Sequence, residues 1–284
     1  MTPPPRPPFT SLDYAIVGDQ SAVALITLTR PHAANALNAT LIDELDMALD
    51  VADADDTIRV VVIAGAGKHF CAGHDLSELF EATEAWAASR GTAEGKLHHE
   101  QVMYFDRCVR LRDFRKPTIA AVHGACSAAG LMLAAMCDLI VATEDARFSN
   151  PVLRMSGAGV ELLVEPWELG PRKAKEFLLC AQTLTGVEAE RFGLVNRVVP
   201  TGPDASNAVL SEALSMADRV AEVPPVTAQA VKASINHMVD GQGQRESWRH
   251  HFMVHQFVSN TATALGLMAK RSEGGMDHVK REQT

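Results

Sequence analysis

The sequence predicts an α/β fold: a layer of parallel strands with helices outside it, followed by a helical C-terminal region. Short apolar segments rich in Val and Ile alternate with stretches whose apolar residues recur at helical spacing. Small residues and glycines directly follow two of those strands, and beyond about Thr201 only helical patterns remain. With 284 residues, 47% of them hydrophobic, the chain can bury one full core.

Taken in order, the proline-rich start MTPPPRPPFT lacks the apolar stretch of a signal peptide, and residues 1–12 are expected to be a disordered lead-in. VALITLTR (23–30) alternates and is β-branched, so it reads as a strand that Pro31 ends. Thr40 stands where a cap is needed before the helical pattern LIDELDMALDVADAD, and RVVVIAGAG (59–67) is a fully apolar strand. Strand, helix, strand implies a right-handed parallel crossover. A mixed polar stretch from Leu76 to Phe114 reads as helical and partly mobile. It leads to the strand TIAAV (118–122), the helical run in SAAGLMLAAMC (127–137) and the strand DLIVAT (138–143). The tail contains four helical patterns, at 205–222, 226–240, 244–259 and 261–271, separated by Pro224-Pro225 and GQG. Apolar faces that such a tail cannot hide alone must pack on the core or on a neighbouring subunit.

Composition excludes several classes. The net charge is −9 and the basic residues are scattered, so no basic stripe marks a nucleic-acid reader. No run approaches the roughly 20 apolar residues of a membrane span. The five cysteines, Cys71, Cys108, Cys126, Cys137 and Cys180, are odd in number and lie mostly in apolar runs. They read as buried, reduced thiols, and a cytoplasmic location is expected.

The chemistry concentrates in VVVIAGAGKHFCAGHDL (60–76) and TIAAVHGACSAAGLMLA (118–134). Small residues after each strand let a ligand approach main-chain N–H groups, and two such groups facing each other are what a developing oxyanion needs. These segments, with RPHAANALNATLIDEL (30–45), HFCAGHDLSEL (69–79), ARFSNP (146–151), GPRKAKEFLL (170–179) and LTGVEAERFGLVNRVVP (184–200), resemble the enoyl-CoA hydratase/isomerase (crotonase) superfamily.

The resemblance implies a crotonase-like core of ββα spiral units over residues 13–200 and a helical trimerisation region over 201–284. It also implies a homotrimer or hexamer, an acyl-CoA thioester as ligand and a place in fatty acid metabolism. Coenzyme A would enter as part of the substrate, with no other cofactor and no metal. Matched position by position, the oxyanion donors are the backbone amides of His74 and Ala129; one such donor stabilises a transition state by on the order of 3 kcal/mol. The side chain of His74 is taken as structural. CoA contacts fall on Asn35, Ala36, Leu37, Ala72 and Asp75. Arg30 is placed to meet a phosphate, with Lys270 and Arg271 available from the tail; for each of these basic residues a plain solvated charge is the alternative.

The sequence departs from the family at both positions that carry the hydratase glutamates, which here are Met132 and Val152. Neither can move a proton, so the two-carboxylate mechanism is unavailable. Glu161, in SGAGVELLVEPWEL, is the candidate acid/base, ahead of Glu165 and Glu78; an ordinary helix-start glutamate is the alternative. The competing function is a non-catalytic acyl-CoA-binding protein of the same fold. GAGKHF lacks the spacing of a phosphate loop, and no dinucleotide fingerprint follows the first strand. Ser127 and Cys126 lack a nucleophile-elbow context. The groups His98-His99-Glu100 and Glu246, His250, His251, His255 are read as solvated or subunit-contact residues, not as metal sites.

Overall fold

Alternate residues of the strand Val60–Gly65 (β3) pack on opposite sides: Val61 and Ile63 join one apolar cluster, Val60, Val62 and Ala64 another. A strand buried on both faces belongs to a parallel sheet covered on both sides, and this one lies near the middle of such a sheet. The computed structural model describes residues 8–77, 91–155 and 157–270. With β1 (Leu12–Val17), β2 (Val23–Leu28), β4 (Thr118–Val122), β6 (Leu139–Thr143) and β9 (Arg197–Val199), β3 forms a six-stranded sheet in the order β1-β2-β3-β4-β6-β9. Only the β1/β2 pair is antiparallel. A smaller sheet, β5-β7-β8, combines Ala125–Ser127, Arg147–Ser149 and Thr183–Thr185.

Helix α1 (Ala39–Ala54) makes the crossover from β2 to β3. Its cap is Asn38, whose side chain accepts from the Leu41 amide at 2.9 Å, and not Thr40 as expected. The middle of the chain gives α2 (Ala93–Glu100), a π-turn (Gln101–Phe105) and α3 (Asp106–Asp113) as one continuous run. Then come α4 (Ala129–Ala135), α5 (Val152–Met155), α6 (Glu165–Leu169), α7 (Pro171–Leu179) and α8 (Gly186–Phe192).

The tail is helical, as expected: α9 (Ala205–Ala221), α10 (Pro225–Gly241), α11 (Gln244–Ser259) and a helical stretch over 262–270. Val209, Ala213, Ala217 and Ala221 of α9 cover one face of the main sheet. Trp248 and Phe252 of α11 join the core on the other side. No helix among the described residues is long and apolar enough to cross a membrane.

The described residues include the end of the expected lead-in. The Glu44 carboxylate accepts from Thr10 N (2.8 Å), Thr10 Oγ1 (2.7 Å) and Ser11 N (2.7 Å), which seats β1 on α1. This strand carries no clean alternation, so its place depends on a buried glutamate contact that periodicity cannot reveal. Four of the cysteines are buried free thiols; Cys180, in contrast to the expectation, is exposed.

Candidate active site

The two small-residue segments meet as parallel neighbours. Cys71 and Cys126 form an isolated bridge, with Cys71 N donating to Ala125 O (3.1 Å) and Ser127 N to Cys71 O (3.0 Å). Contact this close requires glycine: a Cβ on Gly130 would stand 2.2 Å from the Cys71 carbonyl oxygen. Gly73 has φ +109, a conformation L side chains rarely adopt, and a Cβ there would lie 3.1 Å from Ala128 Cβ and 3.5 Å from Ala129 N. His74 and Ala129 are thereby brought side by side.

Both expected donors are available. On the first segment, Leu37 N donates to Gly73 O (2.8 Å) and Asp75 N donates to Leu37 O (3.0 Å). In this parallel pairing the His74 amide between them faces the other way. On the second, Ala129 is the first residue of α4, where amides have no intrahelical acceptor. Just before it Ala128 has φ 50, ψ −117, and donates its amide to Ser149 O at 2.8 Å. Such a conformation costs a non-glycine residue on the order of 1–3 kcal/mol and is held where the surroundings over-determine it.

The residues expected to hold CoA frame this turn, although several are committed to the protein itself. Arg30 pairs with Asp75 at 2.7 Å and also donates to the Ala36 carbonyl, so its guanidinium clamps the 30–37 loop to the first donor segment. Burial alone would raise the Asp75 carboxyl, but hydrogen bonds from Ser77 and Arg30 hold it below the usual range. Asn35 is fully buried with φ 54. Its side chain accepts from Arg30 N (2.9 Å) and donates to Ala66 O (2.9 Å) and His69 O (2.7 Å), which makes it a structural pin. Ala36 and Leu37 are buried and Ala72 is exposed beside them. Lys270 is exposed at the end of the last helical stretch; Arg271 and Glu78 lie outside the described residues.

Met132 is buried in the core and Val152 opens α5 half-buried, so the structure puts apolar side chains at both glutamate positions. Glu161, in contrast, is 2% exposed, and its Oε2 lies 3.4 Å from His74 Nε2. The acid is thus one side chain away from a residue whose backbone is an expected oxyanion donor. Neither atom makes a hydrogen bond among the described residues, and both are buried. A polar atom held that way costs about 1–3 kcal/mol, which singles the pair out for a role other than stability. The His74 ring is 4.3 Å from the Tyr104 ring, tilted by 44°.

Behind Glu161 the structure corrects the reading of the histidine groups. Glu100 from α2 and His255 from α11 are buried with Glu161, and one ligand atom from each lies within 4.8 Å of the others. His255 Nε2 stands 3.3 Å from Glu100 Oε2, which also accepts from Gln256 Nε2 at 2.6 Å. Burial pushes the His255 imidazole down, but its hydrogen bond to Glu100 and the charges of Glu161 and Glu100 outweigh this and raise it. The two carboxylates thus favour the charged form of His255 beside Glu100.

His251, one turn earlier, contacts Val160 O through Nε2 at 2.9 Å and pins the loop that presents Glu161; burial pushes its imidazole down to about 4, so it is neutral there. Only His98, His250 and Glu246 of the two sequence groups are exposed. The missed signal was the spacing of Trp248, His251, Phe252, His255 and Gln256: i, i+3, i+4, i+7 and i+8 form one buried helix face. Glu165 is also buried, but it takes a 2.6 Å hydrogen bond from Asn150, and burial raises its carboxyl.

A depression of about 440 Å³ between α2 and α11 is lined by Leu97, Met253, Gln256 and Phe257, at the outer side of the Glu100 contact. Another, of about 540 Å³, runs along α10 past Lys232 and Asp240 and shares no lining residue with this site.

Comparison with known proteins bears on family and fold. EchA13 of Mycobacterium tuberculosis, which carries an enoyl-CoA hydratase name, is 39% identical over 251 residues, covering 84% of this chain and 77% of that protein. The 2,3-dehydroadipyl-CoA hydratase of Escherichia coli is 37% identical over 78% of this chain and 80% of its own. The crystal structure of an enoyl-CoA hydratase/isomerase from Xanthobacter autotrophicus Py2 superposes with a TM-score of 0.85 at 29% identity, covering 95% of this chain and 96% of that one. A model of the enoyl-CoA hydratase/isomerase family matches residues 18–273, and the chain belongs to that family.

Proposed function

We propose that this enzyme of the enoyl-CoA hydratase/isomerase family acts on an acyl-CoA thioester, stabilising an enolate between the His74 and Ala129 amides, with Glu161 as the proton carrier. The observation that carries this reading is the burial of Glu161 with an unbonded carboxylate oxygen 3.4 Å from the His74 ring. Charge that forms on a thioester oxygen when a proton leaves or joins the α-carbon meets two preorganised N–H donors. A general acid/base within reach adds a factor of about 10²–10⁴. The pantetheine and nucleotide would run past residues 35–37, Ala72 and Asp75, with Lys270 and Arg271 as cations from the tail.

A homotrimer or hexamer is supported by the apolar residues that α10 leaves exposed, among them Val226 (78%), Ile235 (55%) and Met238 (55%). A cytoplasmic location is supported by free thiols at all five cysteines. The second reading, acyl-CoA binding without turnover, is favoured by one observation: Met132 and Val152 leave the two usual acid positions apolar.

The test is a panel of enoyl-CoA thioesters followed by loss of the conjugated double bond, with Glu161→Gln alongside and calorimetric titration of each thioester. Turnover that Glu161→Gln lowers by about 10²-fold or more, with binding retained, supports the proposal. Turnover left intact in Glu161→Gln removes Glu161 from its role. Tight binding without turnover selects the second reading, and absence of binding rejects both.

A further inference from the structure

We propose that the His74 imidazole is a second proton-transfer group, paired with Glu161, and that the two together replace the missing carboxylate pair for addition of water across a 2-enoyl thioester. The inference rests on the thioester reading above and adds to it the side chain of a residue whose backbone alone was assigned a part.

Three observations carry it. His74 Nε2 and Glu161 Oε2 face each other at 3.4 Å, buried and without another hydrogen-bond partner among the described residues. The other buried histidines of this region are committed: His251 Nε2 to the Val160 carbonyl, His255 Nε2 to Glu100. His74 also cannot drift relative to the substrate. Its main chain is fixed between Leu37 and the Gly73–Ala128 contact, and its ring lies 4.3 Å from Tyr104, so the imidazole is indexed to the same amide that would hold the thioester oxygen.

Hydration needs one group to take a proton from water and another to give one to the α-carbon. With Met132 and Val152 at the usual positions, Glu161 alone supplies one of the two. The cycle starts with one transferable proton held between Nε2 and Oε2. The partner without it takes a proton from water as the water oxygen bonds to the β-carbon, and the π pair of the double bond moves toward the carbonyl, leaving enolate charge on the thioester oxygen between the two amides. That charge collapses as the α-carbon takes the proton that the other partner holds. One proton has entered the pair and one has left it, and passage across the Nε2–Oε2 contact restores the starting state. Glu100 and His255 face each other at 3.3 Å, and Glu161 is the carboxyl of this buried group that also faces His74.

The experiment measures hydration of a short-chain 2-enoyl-CoA by the full chain and by His74→Ala, His74→Gln and Glu161→Gln. His74→Ala keeps the backbone donor and removes only the imidazole. His74→Gln keeps a side-chain amide that can donate toward Glu161 but cannot accept a proton. The expected result is a fall in kcat of about 10²-fold or more in both His74 variants with KM changed little. His74→Gln close to wild type would show a positioning role and overturn the proposal, as would His74→Ala within a few-fold of wild type. Absence of hydration by the wild type also overturns it. Exchange of thioester α-protons for deuterium that depends on Glu161 would in that case still leave the thioester reading standing, so the two can fail separately.

Discussion

Replacing His255 with leucine tests the buried Glu100–His255–Glu161 group most directly. The substitution is similar in volume and removes the imidazole that stands 3.3 Å from Glu100, where the Gln256 amide also donates and a second carboxyl group lies close by. Breaking a buried pair by deleting one partner costs about 3–5 kcal/mol, a shift of roughly two to three and a half powers of ten in the folding equilibrium. The groups that face His255 are Glu100 and Glu161, which favour its charge, and Lys96, which opposes it; His251 lies one turn away. Its folded pKa is raised, so its protonated form contributes fully below the ordinary imidazole value of about 6.5, and that contribution fades as pH rises through the folded value. Urea denaturation of wild type and His255→Leu across pH 5–9 should therefore show the widest gap near pH 6 and a narrowing gap above the folded value. The double variant His255→Leu/Glu100→Gln should recover a large part of the loss, because no uncompensated charge is left buried. A single-variant cost below about 1 kcal/mol, or a double variant no better than the sum of the singles, would refute the charge-compensation argument.

Gly73→Ala forces a side chain onto a backbone with φ +109 and toward Ala128 and the Ala129 amide; displacing one oxyanion donor should lower kcat by about 10²–10³-fold in steady-state assays while circular dichroism stays native. Glu44→Gln should cost about 1–3 kcal/mol in chemical denaturation by weakening the hold on β1. Burial raises the Glu44 carboxyl, but bonds from Thr10 and Ser11 bring it below 4.5. Its contribution is therefore present above about pH 4.5 and lost as pH falls through the folded value, and Glu44→Gln should flatten the acid limb of the stability profile. Ile235→Asp, on the exposed apolar face of α10, should reduce the mass measured by light scattering to that of a smaller species, and an unchanged mass would take α10 out of the proposed subunit contact.

Much of the architecture was written locally. The strands at 23–28, 60–65, 118–122 and 139–143 announce themselves as β-branched or apolar runs, and α11 occupies the stretch 244–259 marked by its helical pattern. The paired segments around His74 and Ala129 are equally local, because a close backbone approach demands small residues in a row. The short strands β5, β7, β8 and β9 were not legible, since three residues are too few to show a period. Nor was Arg30's pairing with Asp75, a contact across 45 positions that clamps the 30–37 loop to the first donor segment.

By itself, then, the sequence determined an α/β core, a helical tail and the two small-residue segments around His74 and Ala129, because each is a property of neighbouring residues. The tertiary structure alone decided which titratable groups meet beside those segments. Glu100 and Gln256 are 156 positions apart, and they meet beside Glu161 only because α11 folds its Trp248 and Phe252 face back onto the core. The carboxylates that raise His255 against its burial, and the desolvation that lowers His251, both come from that packing, which no spacing along the chain encodes.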